Sequence, residues 1–280
     1  MLLALLSLAD SFAIPPVEPL LAETPIDIAA QVVLVERALR DPANPLDADL
    51  LTHGHLQQVI YRALVADPTA AQGVLAALPE DLAVIAQTNI DATRSIMGTV
   101  GKKRTHVPAW RIVQPASAEA LQAHYQTAEA EYGVPWEILA AIHLVETRMG
   151  RLRGVSTAGA AGPMQFIPET WARFGEGDIE DNRDAIMASA RHLKHHGAPG
   201  NLDKALWHYN PTDRYVRAVR GYASMIEADP LAFRGYYGWE VYYRTTAGTL
   251  LLPVGYAAEE AVPVGQWCAE EATRCPGDKP

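Results

Sequence analysis

The chain has 280 residues, of which 49% are hydrophobic, and a formal net charge of -10. A chain of this length can bury a substantial core, as one large domain or as two smaller ones. The acidic balance and the absence of a basic stripe argue against a protein that binds nucleic acid.

The chain opens on an apolar run, MLLALLSLADSFAIPP. Ala13 could end a signal-peptide cleavage site, but the basic leader of a full signal peptide is missing. Asp10 and the Pro15-Pro16 pair interrupt the run, so no stable membrane span is predicted. We interpret residues 1-24 as a signal remnant and proline-containing lead-in. Either the true start lies upstream or a truncated signal is kept, and the expected location is extracytoplasmic, secreted or associated with the cell wall.

Residues 25-115 are predicted to form an N-terminal helical region that ends in a linker. Helical periodicity, with Asp and Pro at the boundaries, predicts helices over 26-40, 47-67 and 79-97. These helices carry no catalytic signature, so a packing or spacer role is expected. The Gly, Pro and basic residues of 98-116 indicate a linker or loop.

Residues 116-230 are predicted to be mainly helical, and they contain a candidate proton donor, an acid in an apolar setting. Glu146 ends the apolar run 134-VPWEILAAIHLVETRMG-150 and would lie where the rim of a helix meets a cleft. An apolar setting raises the pKa of a carboxyl group, as proton donation near neutral pH requires. Helices are expected at about 117-132, 135-148, 168-174, 182-197, 201-210 and 212-227.

A glycine-rich segment follows this acid, 156-STAGAAGPMQFIPETW-171. Gly162 and its neighbours allow positive φ or a close approach of the backbone to a ligand. Gln165 carries a donor and an acceptor that could bind an N-acetyl group or a hydroxyl. Ser156 could donate to the preceding carboxylate or to a ligand. The alternative is a plain connection between helices, in which Met164 and Gln165 only pack and cap.

Two tyrosines lie near a predicted helix boundary in 205-ALWHYNPTDRYVRAV-219. Pro211 ends the first helix directly after Tyr209, and the intervening Asn210 is expected to cap it. Tyr215 has helical spacing with apolar neighbours, which is at least as typical of a core residue as of a site residue.

These residues resemble the catalytic core of the soluble lytic transglycosylases and goose-type lysozymes, which is called the transglycosylase SLT domain. Enzymes of these families cut the glycan strands of peptidoglycan. The resemblance implies a lysozyme-like helical domain with Glu146 as the catalytic residue. Tyr209 would point into the cleft, near the acid or an N-acetyl group. The predicted substrate-binding residues are Ser156, Gly162, Met164, Gln165, Tyr209 and Tyr215. The matching positions also include Gly159, Ala160, Pro168, Thr170, Asn210 and Val216.

The resemblance leaves two reactions open at the MurNAc-β-1,4-GlcNAc bond. In lytic transglycosylases one Glu protonates the leaving oxygen and then takes a proton from the sugar's 6-hydroxyl, which gives 1,6-anhydromuramyl ends. Goose-type lysozymes hydrolyse the bond with help from Asp residues. The acidic run 175-GEGDIEDNRDAI-186 indicates a helix N-terminus rather than a water-activating base. A transglycosylase is therefore favoured, with a hydrolytic muramidase or a non-catalytic cell-wall binding protein as alternatives.

Residues 231-280 are predicted to be a C-terminal extension. Aromatic and β-branched residues around Ala247-Gly248 predict a β-hairpin within 236-256. Cys268 and Cys275 could close a small disulfide loop in an oxidising compartment, with two free thiols as the alternative.

The expected fold is therefore mainly α, with an N-terminal helical region, a lysozyme-like catalytic domain and a small C-terminal β-hairpin appendage. The histidine groups at 53-55 and 192-196 lack convergent partners, so no metal site is predicted. No cofactor is implied. The expected partner is the peptidoglycan glycan strand, without nucleic acid.

Overall fold

The computed structural model describes residues 18-99, 101 and 103-270. In this part of the chain, the mainly α fold predicted from the sequence is confirmed. The helices are α1 (Pro25-Arg40), α2 (Ala48-Ala66), α3 (Pro68-Ala77), α4 (Glu80-Met97), α5 (Ala118-Tyr132), α6 (Trp136-Thr147), α7 (Pro168-Phe174), α8 (Asn182-His195), α9 (Leu202-Tyr209), α10 (Asp213-Ala228), α11 (Ala232-Tyr237) and α12 (Val264-Glu270). The strands are β1 (His106-Val107), β2 (Arg111-Ile112), β3 (Leu152-Arg153), β4 (Val241-Thr245), β5 (Gly248-Leu252) and β6 (Val262-Pro263).

Side-chain caps fix several helix starts at the positions that the sequence predicts. The Asp181 carboxylate accepts from the backbone N-H of Asp184 at 3.0 Å, so the acidic run before α8 is a helix N-terminus. Asp67 ends α2 and also caps α3, a helix that the sequence reading did not predict. Because α3 has only 10 residues and is rich in alanine, its apolar periodicity is weak.

The N-terminal helices pack directly on the helices of the predicted catalytic domain. Helix α4 lies against α10, and α2 lies against α11. The hydroxyls of Thr93 and Tyr222 are hydrogen-bonded at 3.0 Å, and Gly221 lets the two helices approach closely at Ala92. One hydrophobic core therefore runs through both regions. The predicted domain boundaries stay predictions.

A buried polar network joins α1 and α2 to the segment after α11. Glu36 is fully buried and accepts hydrogen bonds from Arg40, Gln57 and Tyr61. Gln57 in turn accepts from the indole N-H of Trp239 at 2.9 Å. Because buried polar groups without partners are costly, this network fixes how the C-terminal segment meets the N-terminal helices.

Three small antiparallel strand pairs surround a second hydrophobic cluster. Strands β4 and β5 form a hairpin with Thr245 opposite Gly248, at the position of the predicted turn. Strand β1 pairs with β6, and β2 pairs with β3. Val107 and Ile112 are buried in this cluster, which explains why short strands form where the sequence reading predicted a linker or loop.

Two sequence predictions extend beyond the part of the chain that the structure describes. Cys268 packs against the second cluster, whereas Cys275 lies outside the described residues, so the disulfide stays a prediction. Most of the predicted signal remnant also lies outside them. Within the described ranges, no helix combines the length and apolar character needed to cross a membrane.

Candidate active site

Glu146 lies in the last turn of α6, where the chain turns sharply. The next residues, Arg148, Met149 and Gly150, have φ values of 55°, 60° and 80°. Such left-handed backbone is costly outside glycine and must be held by its surroundings. Thr147 supplies part of that support, because its hydroxyl donates to the Pro163 carbonyl at 2.6 Å and accepts from the Gly150 N-H at 3.0 Å. The end of α6 is thus fastened to the glycine-rich loop.

The carboxyl group of Glu146 is half-buried and has one hydrogen-bond donor among the described residues. The Tyr215 hydroxyl donates to its Oε1 atom at 2.8 Å. Burial raises the pKa of Glu146 to about 7, against the smaller lowering effects of this hydrogen bond and of the Arg148 charge. Glu146 therefore titrates near neutral pH, where both its protonated and its ionised forms are accessible. A partly protonated acid at a cavity is typical of a general acid in an enzyme.

Glu146 opens into a cavity of about 250 Å³. Glu146 is the one carboxylate among its described lining residues. Half of the wall comes from elements outside the predicted catalytic segment, namely α2, the C-terminal end of α4 and β4. The lining residues are Arg62, Ile96, Met97, Thr99, Val145, Glu146, Arg148, Asn210, Tyr215 and Tyr242. A larger cavity of about 790 Å³ borders the glycine-rich loop at Gly154 and Val155 but does not include Glu146.

The glycine-rich loop is closed by reciprocal hydrogen bonds between Ala161 and Phe166, both at 2.9 Å. Gly162 has a φ of 76°, and a Cβ atom there would lie 2.0 Å from the Ile179 carbonyl oxygen. Only glycine fits such a position. Gly162 is therefore needed for loop geometry, and the structure gives it no contact with Glu146.

Ser156 and Gln165, both half-buried, organise this loop. The Ser156 hydroxyl accepts from the backbone N-H groups of Ala158 and Ala160 at 3.2 and 3.0 Å. Among the described residues it makes no hydrogen bond to Glu146. The Gln165 side-chain amide donates to the carbonyls of Gly154 and Gly162, at 3.3 and 3.0 Å. None of the described residues donates a hydrogen bond to its Oε1 atom, which can serve as an acceptor.

Tyr209 and Tyr215 lie side by side, and their hydroxyls bond different groups. Tyr209 donates to the Met164 carbonyl at 2.6 Å and lies 3.1 Å from the Ser189 hydroxyl, so its hydroxyl bonds the loop, while burial and the nearby Glu146 charge raise its pKa. Tyr215 is almost fully buried, as a core residue would be, yet its hydroxyl reaches Glu146. The two rings are stacked, with centroids 6.2 Å apart. Met164 is fully buried.

The acidic run between α7 and α8 is occupied with local backbone hydrogen bonds. Asp178 accepts from the N-H of Glu180 at 2.9 Å, and Asp184 accepts from the N-H of Asp178 at 3.0 Å. Asp181 caps α8. None of these three side chains lines the cavity that contains Glu146.

Replacing Tyr215 with Phe is expected to move the alkaline limb of the pH-rate profile to higher pH. The hydroxyl stabilises the charged carboxylate, so its loss raises the pKa of Glu146 further above its value of about 7. Activity that needs the protonated acid persists below this pKa and is lost as pH rises through it. The expected displacement is up to about one pH unit.

The measurement is kcat/KM against pH for Tyr215→Phe beside Tyr209→Phe. The second variant removes a hydroxyl that bonds the Met164 carbonyl and not the acid, so its alkaline limb should keep the wild-type position. A limb that stays in place in Tyr215→Phe, or moves to lower pH, would contradict the assignment of this limb to Glu146.

Comparisons with known proteins concern the segment that contains this site. Residues 124-228 match the family model of the transglycosylase SLT domain, whose fold is lysozyme-like and helical. The predicted resemblance is confirmed. The chain is also similar to membrane-bound lytic murein transglycosylase F of Thiobacillus denitrificans, at 35% identity over 80 residues, which are 29% of this chain and 17% of that protein. The match thus spans less than a fifth of that relative's length. No solved structure matches the chain significantly.

The structure adds three residues to the site that the sequence analysis did not single out. Arg62, Arg148 and Tyr242 line the cavity with Glu146. Arg148 lies two residues after Glu146, so a charged residue next to the acid could have been noticed in the sequence. Arg62 and Tyr242 lie far away in sequence, in segments without a motif, so only the folded chain reveals them.

Proposed function

We propose that this chain is a peptidoglycan lytic transglycosylase that cleaves the MurNAc-β-1,4-GlcNAc bond and forms 1,6-anhydromuramyl ends. The observation that carries the proposal is the setting of Glu146 within the SLT domain. It is the one carboxylate among the described residues lining its cavity, and burial raises its pKa to about 7. A single acid that can both give and take a proton near neutral pH suits this reaction.

In the proposed reaction, Glu146 first acts as an acid. Its proton passes to the glycosidic oxygen, the bond from that oxygen to C1 of the muramyl residue breaks, and positive charge develops on the sugar ring. The resulting carboxylate is stabilised by the Tyr215 hydroxyl and the nearby Arg148 charge. Glu146 then takes the proton of the sugar's own 6-hydroxyl as O6 bonds to C1. The proton returns to Glu146, and no water is consumed.

The glycine-rich loop would hold the glycan beside this acid. Gln165 keeps a free acceptor, Oε1, that suits an N-acetyl N-H or a hydroxyl donor. Ser156, Gly162, Met164 and Tyr209 fix the loop through contacts that need no substrate. We assign them to shaping the binding surface.

The alternatives fit the geometry less well. A hydrolytic muramidase needs a second carboxylate to activate water. The nearest acidic run satisfies backbone N-H groups instead, and none of its members lines the cavity. Burying the Glu146 carboxyl group raises its pKa and costs free energy. A binding protein gains nothing from this cost, whereas a general acid needs the raised pKa. The proposed location is extracytoplasmic, where peptidoglycan lies.

Product analysis in isotopically labelled water tests the proposal. Purified cell walls digested in H₂¹⁸O should yield anhydro-ended muropeptides without ¹⁸O, as seen by mass spectrometry. A hydrolytic lysozyme run in parallel should give labelled reducing ends. Labelled reducing ends from this protein would reject the transglycosylase assignment and favour the muramidase.

The acidic run supplies a second readout of the same experiment. Asp178→Asn, Asp181→Asn and Asp184→Asn should keep wild-type turnover and the same unlabelled products. The Asp181 variant should keep nearly all of its unfolding free energy, because the Asn side-chain oxygen can accept the same capping hydrogen bond from the Asp184 N-H. Loss of most activity in a folded variant would instead indicate that this Asp positions a water molecule.

A further inference from the structure

The cavity wall that faces Glu146 carries two arginines, and one of them comes from outside the SLT domain. Arg62 lies on α2, with its guanidinium carbon 4.3 Å from the centroid of the Tyr242 ring. Arg148 follows α6, with its guanidinium carbon 5.9 Å from the centroid of a Trp239 ring. Both guanidinium groups therefore lie over aromatic faces, an arrangement that orients them and limits their motion.

These two cations have no carboxylate partner within salt-bridge distance among the described residues. Arg148 donates to the backbone carbonyls of Leu144 and Val145, and the nearby Glu146 is only partly ionised near pH 7. Glu18 acts on Arg62 electrostatically without forming a salt bridge. Burial lowers the pKa of both guanidinium groups, which reflects the cost of desolvating them. An anion that entered the cavity would offset this cost.

Tyr242 is itself held in place, so the Arg62 side of the cavity is preorganised. The Tyr242 hydroxyl lies 2.8 Å from Nε2 of His55, which is also on α2. Burial lowers the pKa of His55 to about 4, so the imidazole is neutral at physiological pH and adds no charge to this side of the cavity. The helix that carries Arg62 thus also fixes the ring over which Arg62 lies.

We propose that Arg62 and Arg148 form a subsite that binds a carboxylate of the glycan strand beside the scissile bond. The proposal rests on the proposed function, because it takes the ligand to be peptidoglycan. Two carboxylates of that polymer have this chemistry, namely the lactyl carboxyl group of a muramyl residue without peptide and the carboxyl groups of the stem peptide. In either case, α2 and β4 determine the preference for acidic over neutral glycans.

The test compares Arg62→Gln with the wild type on acidic and neutral ligands. For acidic strands we expect KM to rise about tenfold or more with kcat little changed, because a hydrogen bond to a charged group contributes that much. Equilibrium binding of a neutral N-acetylglucosamine oligomer should stay the same. Arg94→Gln serves as the matched control, since Arg94 is an exposed residue on α4 paired with Asp91. It should behave as wild type throughout.

Two forms of the acidic substrate separate the possible sources of the carboxylate. If Arg62→Gln raises KM for strands stripped of their peptides, the bound carboxylate is the lactyl carboxyl group. If it raises KM only for peptide-bearing strands, the bound carboxylate belongs to the stem peptide. Arg62→Lys should recover part of the loss, because it restores the charge without the planar guanidinium.

Two results would overturn the subsite. One is unchanged kinetics of Arg62→Gln on both acidic substrates, and the other is an equal loss of binding for the neutral oligomer. Failure of the proposed function is recognised separately, by the absence of anhydro-ended products from the wild type. Binding of a GlcNAc-MurNAc disaccharide with a free carboxylate, compared with its methyl ester, tests the subsite without any turnover.

Discussion

Replacing Glu146 with Gln is expected to lower cleavage by about 10²-10⁴-fold, the usual contribution of a positioned proton donor. The amide is nearly isosteric with the carboxyl group, so the Tyr215 hydroxyl can still donate to its Oε1 atom. It cannot give a proton to the leaving oxygen, and it cannot take one from the 6-hydroxyl. Both halves of the proposed reaction are therefore lost together, while the cavity keeps its shape.

The measurements are the rate of release of soluble fragments from cell walls, the affinity for glycan, and the unfolding midpoint. Affinity and folding should be largely retained. Glu137→Gln is the matched control, because Glu137 lies in the first turn of the same helix and does not line the cavity. Retention of more than about a tenth of wild-type activity in Glu146→Gln would place the acid elsewhere, since that loss falls short of the expected range.

Replacing Gly162 with Ala is expected to destabilise the protein by roughly 2-5 kcal/mol through backbone strain and overpacking together. The positive φ of 76° disfavours any residue with a Cβ atom, and the new methyl group would lie 2.0 Å from the Ile179 carbonyl oxygen. Backbone cannot move aside as a flexible side chain can. The loop that carries Gln165 should shift, so activity should fall even at temperatures where the variant is folded.

Gly159→Ala isolates the backbone-strain part of this effect, so the difference between the two variants gives the steric part. Gly159 has a similar φ of 80°, but nothing lies within 4 Å of the position of its Cβ atom. It should lose only about 1-2 kcal/mol from strain. Denaturant unfolding of both variants gives the comparison. Equal losses of unfolding free energy would show that the contact with Ile179 is unimportant.

The sequence predicted most where the signal was local. The apolar face of α6 places Glu146 at its end, and the cap before α8 follows from Asp181. The hairpin turn near Gly248 was also visible, because it depends on neighbouring residues. Helix periodicity, capping and turn chemistry act over a few residues, so a sequence reading can detect them.

Contacts between distant segments were not predictable in the same way. The hydrogen bond from Tyr215 to Glu146 joins two helices, and nothing in the spacing of either helix requires it. The hydrogen bond from Tyr209 to the Met164 carbonyl likewise joins segments 45 positions apart. The pairing of Arg62 with Tyr242 depends on how α2 meets β4. Each case is decided by packing across the whole core, which a single sequence does not encode locally.

The cavity wall beside Glu146 is built from segments far apart in the chain, so it forms late, after both segments have been synthesised. His55 and Tyr242 are separated by 187 positions in the chain, and Gln57 and Trp239 by 182. Contacts of such long range carry a large loop-closure cost and form only when both segments have been synthesised and brought together. The SLT segment can be complete on the ribosome while this wall is still missing. The desolvation that raises the pKa of Glu146 would then be a property of the finished fold, and a nascent chain would carry an ordinary, ionised glutamate.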